Sequence, residues 1–123
     1  MTTRSVAEAF LEKLKARGVS YLYVGAGTDT APIVEAYAAA QDADAAEHYP
    51  IPVLATHENL AVGMAHGYAM VTGEPQAVML HVSVGTANAV CALMNAARGQ
   101  IPILFTAGRT PVFENGRQGA RDS

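Results

Sequence analysis

A chain of 123 residues is one domain by length, and with half of its residues hydrophobic it can bury a real core. A net charge of −3, with its Arg and Lys scattered rather than clustered, excludes nucleic acid as an expected partner. No apolar run nears the roughly 20 residues that span a bilayer, the N-terminal MTTRSVAEAFLEKLKARG has no secretory core, and Cys91 stands alone. The expectation is a soluble cytoplasmic protein with no membrane partner. Only 15% of its residues are charged, which is lean for a small monomer and points to apolar surface reserved for another chain or domain.

The spacing predicts a helix over residues 5–17, with Val6, Phe10, Leu11 and Leu14 on one stripe and Gly18 as its stop. VSYLYVG reads as a strand ending at Gly25 and Gly27. Pro32 suits the first turn of a second helix, to about Ala40, and QDADAAEHYP reads as a polar surface connection. IPVLA is a second strand, followed by Thr56 as the expected cap of a helix to about Thr72, with Gly73 ending it. QAVMLHV is the third strand, residues 86–97 the next helix, stopped by Gly99, and PILFTAG the fourth strand.

Strands alternating with helices predict an α/β fold: three layers, a mainly parallel sheet and helices on both faces. Ligands in such sheets sit beyond the carboxyl ends of the strands, here VGAGTDT, ATHEN, HVSVGTAN and TAGRTP. The chain then reads RTPVFENGRQGARDS, polar and Gly-rich, so the expectation is a sheet incomplete at its C-terminal end and a domain cut short after about residue 110.

Two residues could carry chemistry. Glu58 stands in the first turn of a helix, where a carboxylate commonly does no more than complement the macrodipole. The helix also carries Gly63 and Gly67, each costing about 1 kcal/mol against Ala. Such glycines suggest close backbone contact, hence a partly buried carboxylate with opposing influences on its pKa. His81 interrupts an apolar strand, and Ser83, Gly85, Thr86 and Asn88 after it read as a polar turn open to a ligand. Gly25 and Gly27 have G-x-G spacing, but Thr30 stands where a dinucleotide fingerprint needs its third glycine. His57 and His66, nine apart, share no face as a metal pair would and read as packing or surface residues; no metal ligands are expected.

HENLAVGMAHGYAMVTGEP, followed by HVSVGTANAVCALMNAARGQIPILFTAGRTP, resembles the N-terminal, pyrimidine-binding domain of the acetolactate synthase and benzoylformate decarboxylase family. The set H-E, G-Y-A, T-G-x-P, G-T-x-N-A and I-P-I-L carries the resemblance, which runs from about Val6 to Arg109. It implies thiamine diphosphate as cofactor and a 2-oxo acid as substrate. It also implies that Glu58 hydrogen-bonds N1′ of the aminopyrimidine and so activates the cofactor. His81 falls where the decarboxylase branch has an active-site histidine, which implies proton transfer near the substrate. Ala26 and Gly27 fall where the family commonly has Pro-Gly beside the pyrimidine ring, and Thr28 where the decarboxylases often carry a substrate-contacting Ser. Val84, in the Ser83-Val84-Gly85 turn that replaces a G-P-G, and Asn88 are carried over as cofactor-binding positions.

The family holds the diphosphate and Mg²⁺ in a separate domain through a G-D-G, which this sequence lacks, and shares its active site between subunits. The resemblance therefore implies a homodimer or higher oligomer, completed by missing C-terminal domains or by a separate diphosphate-binding subunit. A small subunit of a two-subunit decarboxylase and a non-catalytic dimerisation module of the same fold are the competing expectations.

Overall fold

The computed structural model describes residues 4–109, so the expectations for the tail beyond them fall outside the described residues. Helix α1 (Val6–Ala16) leads to strand β1 (Tyr21–Val24), and a 3₁₀ turn (Thr28–Thr30) opens α2 (Ala31–Asp42). A second 3₁₀ turn (Ala46–His48) precedes β2 (Ile51–Leu54); α3 (Glu58–Thr72), β3 (Gln76–Leu80), α4 (Val82–Arg98) and β4 (Ile103–Ala107) complete the order.

All strand pairs are parallel, in the order β2-β1-β3-β4. Successive side chains of a strand face opposite sides, and here they enter two different cores. Leu22 and Ala77 join Ala7, Leu11, Leu14, Ile33, Ala36 and Ala40, the core under α1 and α2. Tyr23 and Val78 join Ala61, Val62, Ala65 and Ala89, the core under α3 and α4. The sheet is therefore covered on both faces, as its alternation of strands and helices predicts. Fully buried Leu11, Leu22, Leu80, Val62 and Val78 anchor it, each worth about 1.5–3 kcal/mol.

Helix ends explain where the sequence expectations shift. α1 opens with a capping box: the Glu8 backbone N–H donates to Ser5 Oγ and the Ser5 N–H to Glu8 Oε2. Ser5 thus lies outside the helix, and Val6 turns to solvent, 88% exposed, rather than joining the buried stripe. Thr56 does not cap α3. His57 does, its Nδ1 accepting from the Asn59 backbone N–H at 3.1 Å; of the packing and surface readings it takes the surface one, as an exposed cap. Gly73 ends α3 in the left-handed region (φ 74°), a conformation that favours glycine.

β3 stops at Leu80, so His81 is the link to α4 and not a strand residue. Its carbonyl already accepts the Gly85 N–H at 2.8 Å, starting helical bonding four residues before the expected boundary. Ser83, Gly85, Thr86 and Asn88 are therefore helical, with the Thr86 hydroxyl folded back onto the Val82 carbonyl at 2.8 Å. The abrupt junction holds Val82 at φ 32°, a strained value for a β-branched residue.

Candidate active site

The strand order decides where a ligand can sit. β1 is followed by α2 on one face of the sheet and β3 by α4 on the other, so a crevice opens between their carboxyl ends. The segments bordering it are Gly25–Asp29 after β1 and His81–Gly85 after β3, with the start of α3 alongside.

Glu58 is the first residue of α3 and is half-buried. Its stem lies between two glycines. A Cβ on Gly25 would come within 3.8 Å of Glu58 Cγ and 2.9 Å of Leu80 Cδ2. A Cβ on Gly85 would lie 3.5 Å from the same Cγ and 3.2 Å from Leu80 Cβ. Asn88 Nδ2 donates to Glu58 Oε2 at 3.1 Å, tying α4 to α3. The Glu58 backbone N–H and the Asn88 amide hold the carboxyl below the ordinary carboxylate range, outweighing burial, which pushes it up. The opposing influences expected from the sequence thus resolve in favour of the ionised acid.

His81 lies on the other side of the Gly25–Gly27 loop. Its ring makes no cap bond to α4 and instead pairs with Asp29, Nδ1 to Oδ1 at 2.7 Å. A Cβ on Gly27 would overlap the His81 ring, and one on Gly108 would overlap the Asp29 carboxylate. Asp29 is the residue that sequence reasoning missed. It lies 52 positions from its partner, and only the β1–β3 adjacency brings the two together.

The remaining predicted positions separate. Gly27, Asn88, Glu58 and His81 border the crevice. Thr28 is exposed at the start of the first 3₁₀ turn, and Val84 is 56% exposed on α4. Ala26 lines a different, apolar cavity of about 230 Å³ on the α2 side, with Val24, Ile33, Tyr37 and Leu54. Among the described residues no group of three or more His, Cys, Asp or Glu is placed to hold a metal ion, and no helix is long and apolar enough to cross a membrane.

The family described as thiamine pyrophosphate enzyme, N-terminal TPP binding domain, matches residues 4–122. The chain belongs to that family. It is 32% identical over 106 residues to a benzoylformate decarboxylase of Pseudomonas aeruginosa, covering 86% of this chain and 18% of that protein. It is 29% identical over 109 residues to the acetolactate synthase large subunit of Haemophilus influenzae, covering 89% and 18%. Among solved structures, a thiamine diphosphate-dependent 4-hydroxybenzoylformate decarboxylase of Rhodococcus jostii superposes with a TM-score of 0.71 at 28% identity, over 88% of this chain and 19% of that one. The chain thus spans about a fifth of the length of these relatives.

Proposed function

We propose that this domain presents the pyrimidine site of a thiamine-diphosphate-dependent 2-oxo acid decarboxylase or carboligase, with Glu58 as the activating carboxylate. One observation carries the reading: an ionised, half-buried carboxylate at the start of α3, its stem flanked by Gly25 and Gly85 and its Oε2 accepting from the Asn88 amide. That donor set fits the cofactor's pyrimidine end, because an ionised carboxylate accepts an N–H and the two glycines raise no side chain over its stem. Thiamine diphosphate, when bound, supplies the electron sink for loss of carbon dioxide from a 2-oxo acid. Glu58 would accept a hydrogen bond from N1′, Asn88 would hold Glu58 in place, and Gly27, with Ala26 and Val84 further out, would border the ring. His81, whose side chain is 39% exposed, would exchange a proton with substrate, and Thr28 would contact it.

Mg²⁺ and the diphosphate would be bound by another part of the protein or by a partner subunit, in a cytoplasmic assembly. A homodimer is supported by α3 itself. Its buried face is Ala61, Val62, Ala65 and Ala69, while Gly63 and Gly67 are exposed and a Cβ on either would meet nothing within 4 Å. The close approach that these glycines suggest is therefore not made among the described residues. Leu60, Met70 and Val71 on the same helix are exposed as well, a surface suited to a second copy.

Calorimetric titration with thiamine diphosphate and Mg²⁺ tests the reading, on the native protein and on Glu58→Gln. Binding that the substitution weakens supports a working pyrimidine site. Equal binding by both forms would remove Glu58 from that role.

A further inference from the structure

We propose that Asp29 is a positioning residue that fixes the tautomer of His81, so that Nδ1 carries the buried hydrogen bond and Nε2 is left as the proton-exchanging atom. The proposal rests on the reading of His81 as a proton-handling group and adds a second residue to it.

Three observations carry it. First, the Nδ1–Oδ1 distance is 2.7 Å, and a carboxylate can only accept, so the shared hydrogen belongs to Nδ1. Second, the chain gives up side chains on both sides of the pair. Gly27 lies against the His81 ring and Asp29 Oδ1, and Gly108, after β4, lies against the other end of the carboxylate. Two loops far apart in sequence are thus bare where the pair needs room. Third, Asp29 Oδ2 is buried without a hydrogen-bond partner among the described residues. A carboxylate kept for stability alone would have both oxygens satisfied, since an unmet buried acceptor is unfavourable. Among the described residues the ring bond is the one polar contact of this carboxylate, and its side chain is only 16% exposed.

The consequence for chemistry follows from the imidazole itself. In the neutral ring one nitrogen donates and the other accepts, and whichever bond the first makes decides the second. With Nδ1–H held by Asp29, neutral His81 offers a lone pair at Nε2, ready to take a proton and return it. Without Asp29 the ring is free to carry its proton on Nε2 and to rotate.

Two-bond ¹⁵N–¹H correlation spectra of ¹⁵N-histidine-labelled protein, at a pH where the rings are neutral, read the tautomer directly. His57 is the internal reference: its Nδ1 accepts from Asn59, so it must show the Nε2–H pattern. Native His81 is expected to show the opposite, Nδ1–H pattern, and to lose it in Asp29→Ala while His57 stays unchanged. If that variant does not fold, Asp29→Asn serves, because its amide competes to donate to Nδ1 and lowers the Nδ1–H fraction. Native His81 in the Nε2–H form would overturn the proposal without any variant. So would an Nδ1–H pattern that survives the loss of Asp29 in a folded protein. Neither outcome depends on cofactor binding, so failure here is distinct from failure of the Glu58 reading.

Discussion

Helices α3 and α4 begin alike and use their beginnings differently. Each follows a strand at its carboxyl end, and each has a histidine as its N-terminal cap residue. His57 spends its ring on the helix, accepting the Asn59 N–H, and leaves the next residue, Glu58, to face the crevice. His81 gives its own helix nothing from the ring and pairs across the crevice with Asp29. The same residue type at the same structural position is thus a structural cap in one case and a candidate proton carrier in the other. What distinguishes them is the neighbouring loop: β1 lies beside β3, and its Gly27–Asp29 segment reaches His81.

The largest effect should come from the α3 side. Glu58→Gln keeps the shape and removes the charge, so turnover of the complete enzyme should fall by roughly 10²–10⁴-fold, the usual range for an acid–base group. Steady-state rates with the fold checked by circular dichroism decide this. A loss of less than tenfold would return Glu58 to the role of a macrodipole partner.

On the α4 side, Gly27→Ala is the sharper probe. Its methyl group has nowhere to go but into the His81–Asp29 pair, so overpacking should cost about 1–3 kcal/mol and separate the pair. Urea unfolding measures the first and the His81 tautomer the second. The contrast with α3 is direct, since Gly63→Ala and Gly67→Ala meet open space among the described residues. If a second copy packs there, these changes weaken the dimer, which sedimentation velocity would detect; if nothing does, each stabilises the monomer by about 0.5–1 kcal/mol.

The two caps should also separate on mutation. His57→Ala removes an acceptor from the start of α3 and is expected to cost about 1 kcal/mol. His81→Ala removes no cap bond, and its main cost should be the partner it leaves behind in Asp29. Equal losses of helix protection in hydrogen exchange at both helix starts would mean that the two histidines cap alike.

Much of this arrangement is legible in the sequence because local chemistry fixes it. The apolar runs give all four strands, Gly18 and Gly73 stop their helices at positive φ, and the run from His57 to Arg109 carries the family pattern. What is not legible depends on pairing. The β2-β1-β3-β4 order is not written in any one segment, and with it goes the contact of Asp29 with His81. The start of α4 is hidden for a related reason. Ser83, Gly85, Thr86 and Asn88 have turn propensity, but the β3–β4 pairing ends at Leu80 and the next carbonyl is already committed to Gly85. The glycines of α3 suggest a close backbone approach, but the sequence does not name the element that makes it; among the described residues nothing lies within 4 Å of a Cβ on Gly63 or Gly67.

The smallest expected effect is also the most direct on the link between the two helices. Glu58 is held below the ordinary carboxylate range first by its own backbone N–H and then by the Asn88 amide. Asn88→Ala removes the second and keeps the first, so the Glu58 pKa should rise part of the way and remain below the ordinary value. Because the folded-state value is the lower one, the stabilisation is present above the unfolded carboxyl pKa and is lost as the pH falls through the folded value. In the Asn88→Ala protein the onset, set by the unfolded chain, stays where it is, while the loss is complete at a higher pH and smaller in total. Titrating the Glu58 side-chain carboxyl by ¹³C NMR in both proteins reads the shift. A carboxyl indifferent to Asn88 would mean that α4 contributes no electrostatics to the start of α3, and the two helix starts would be separate sites and not two halves of one.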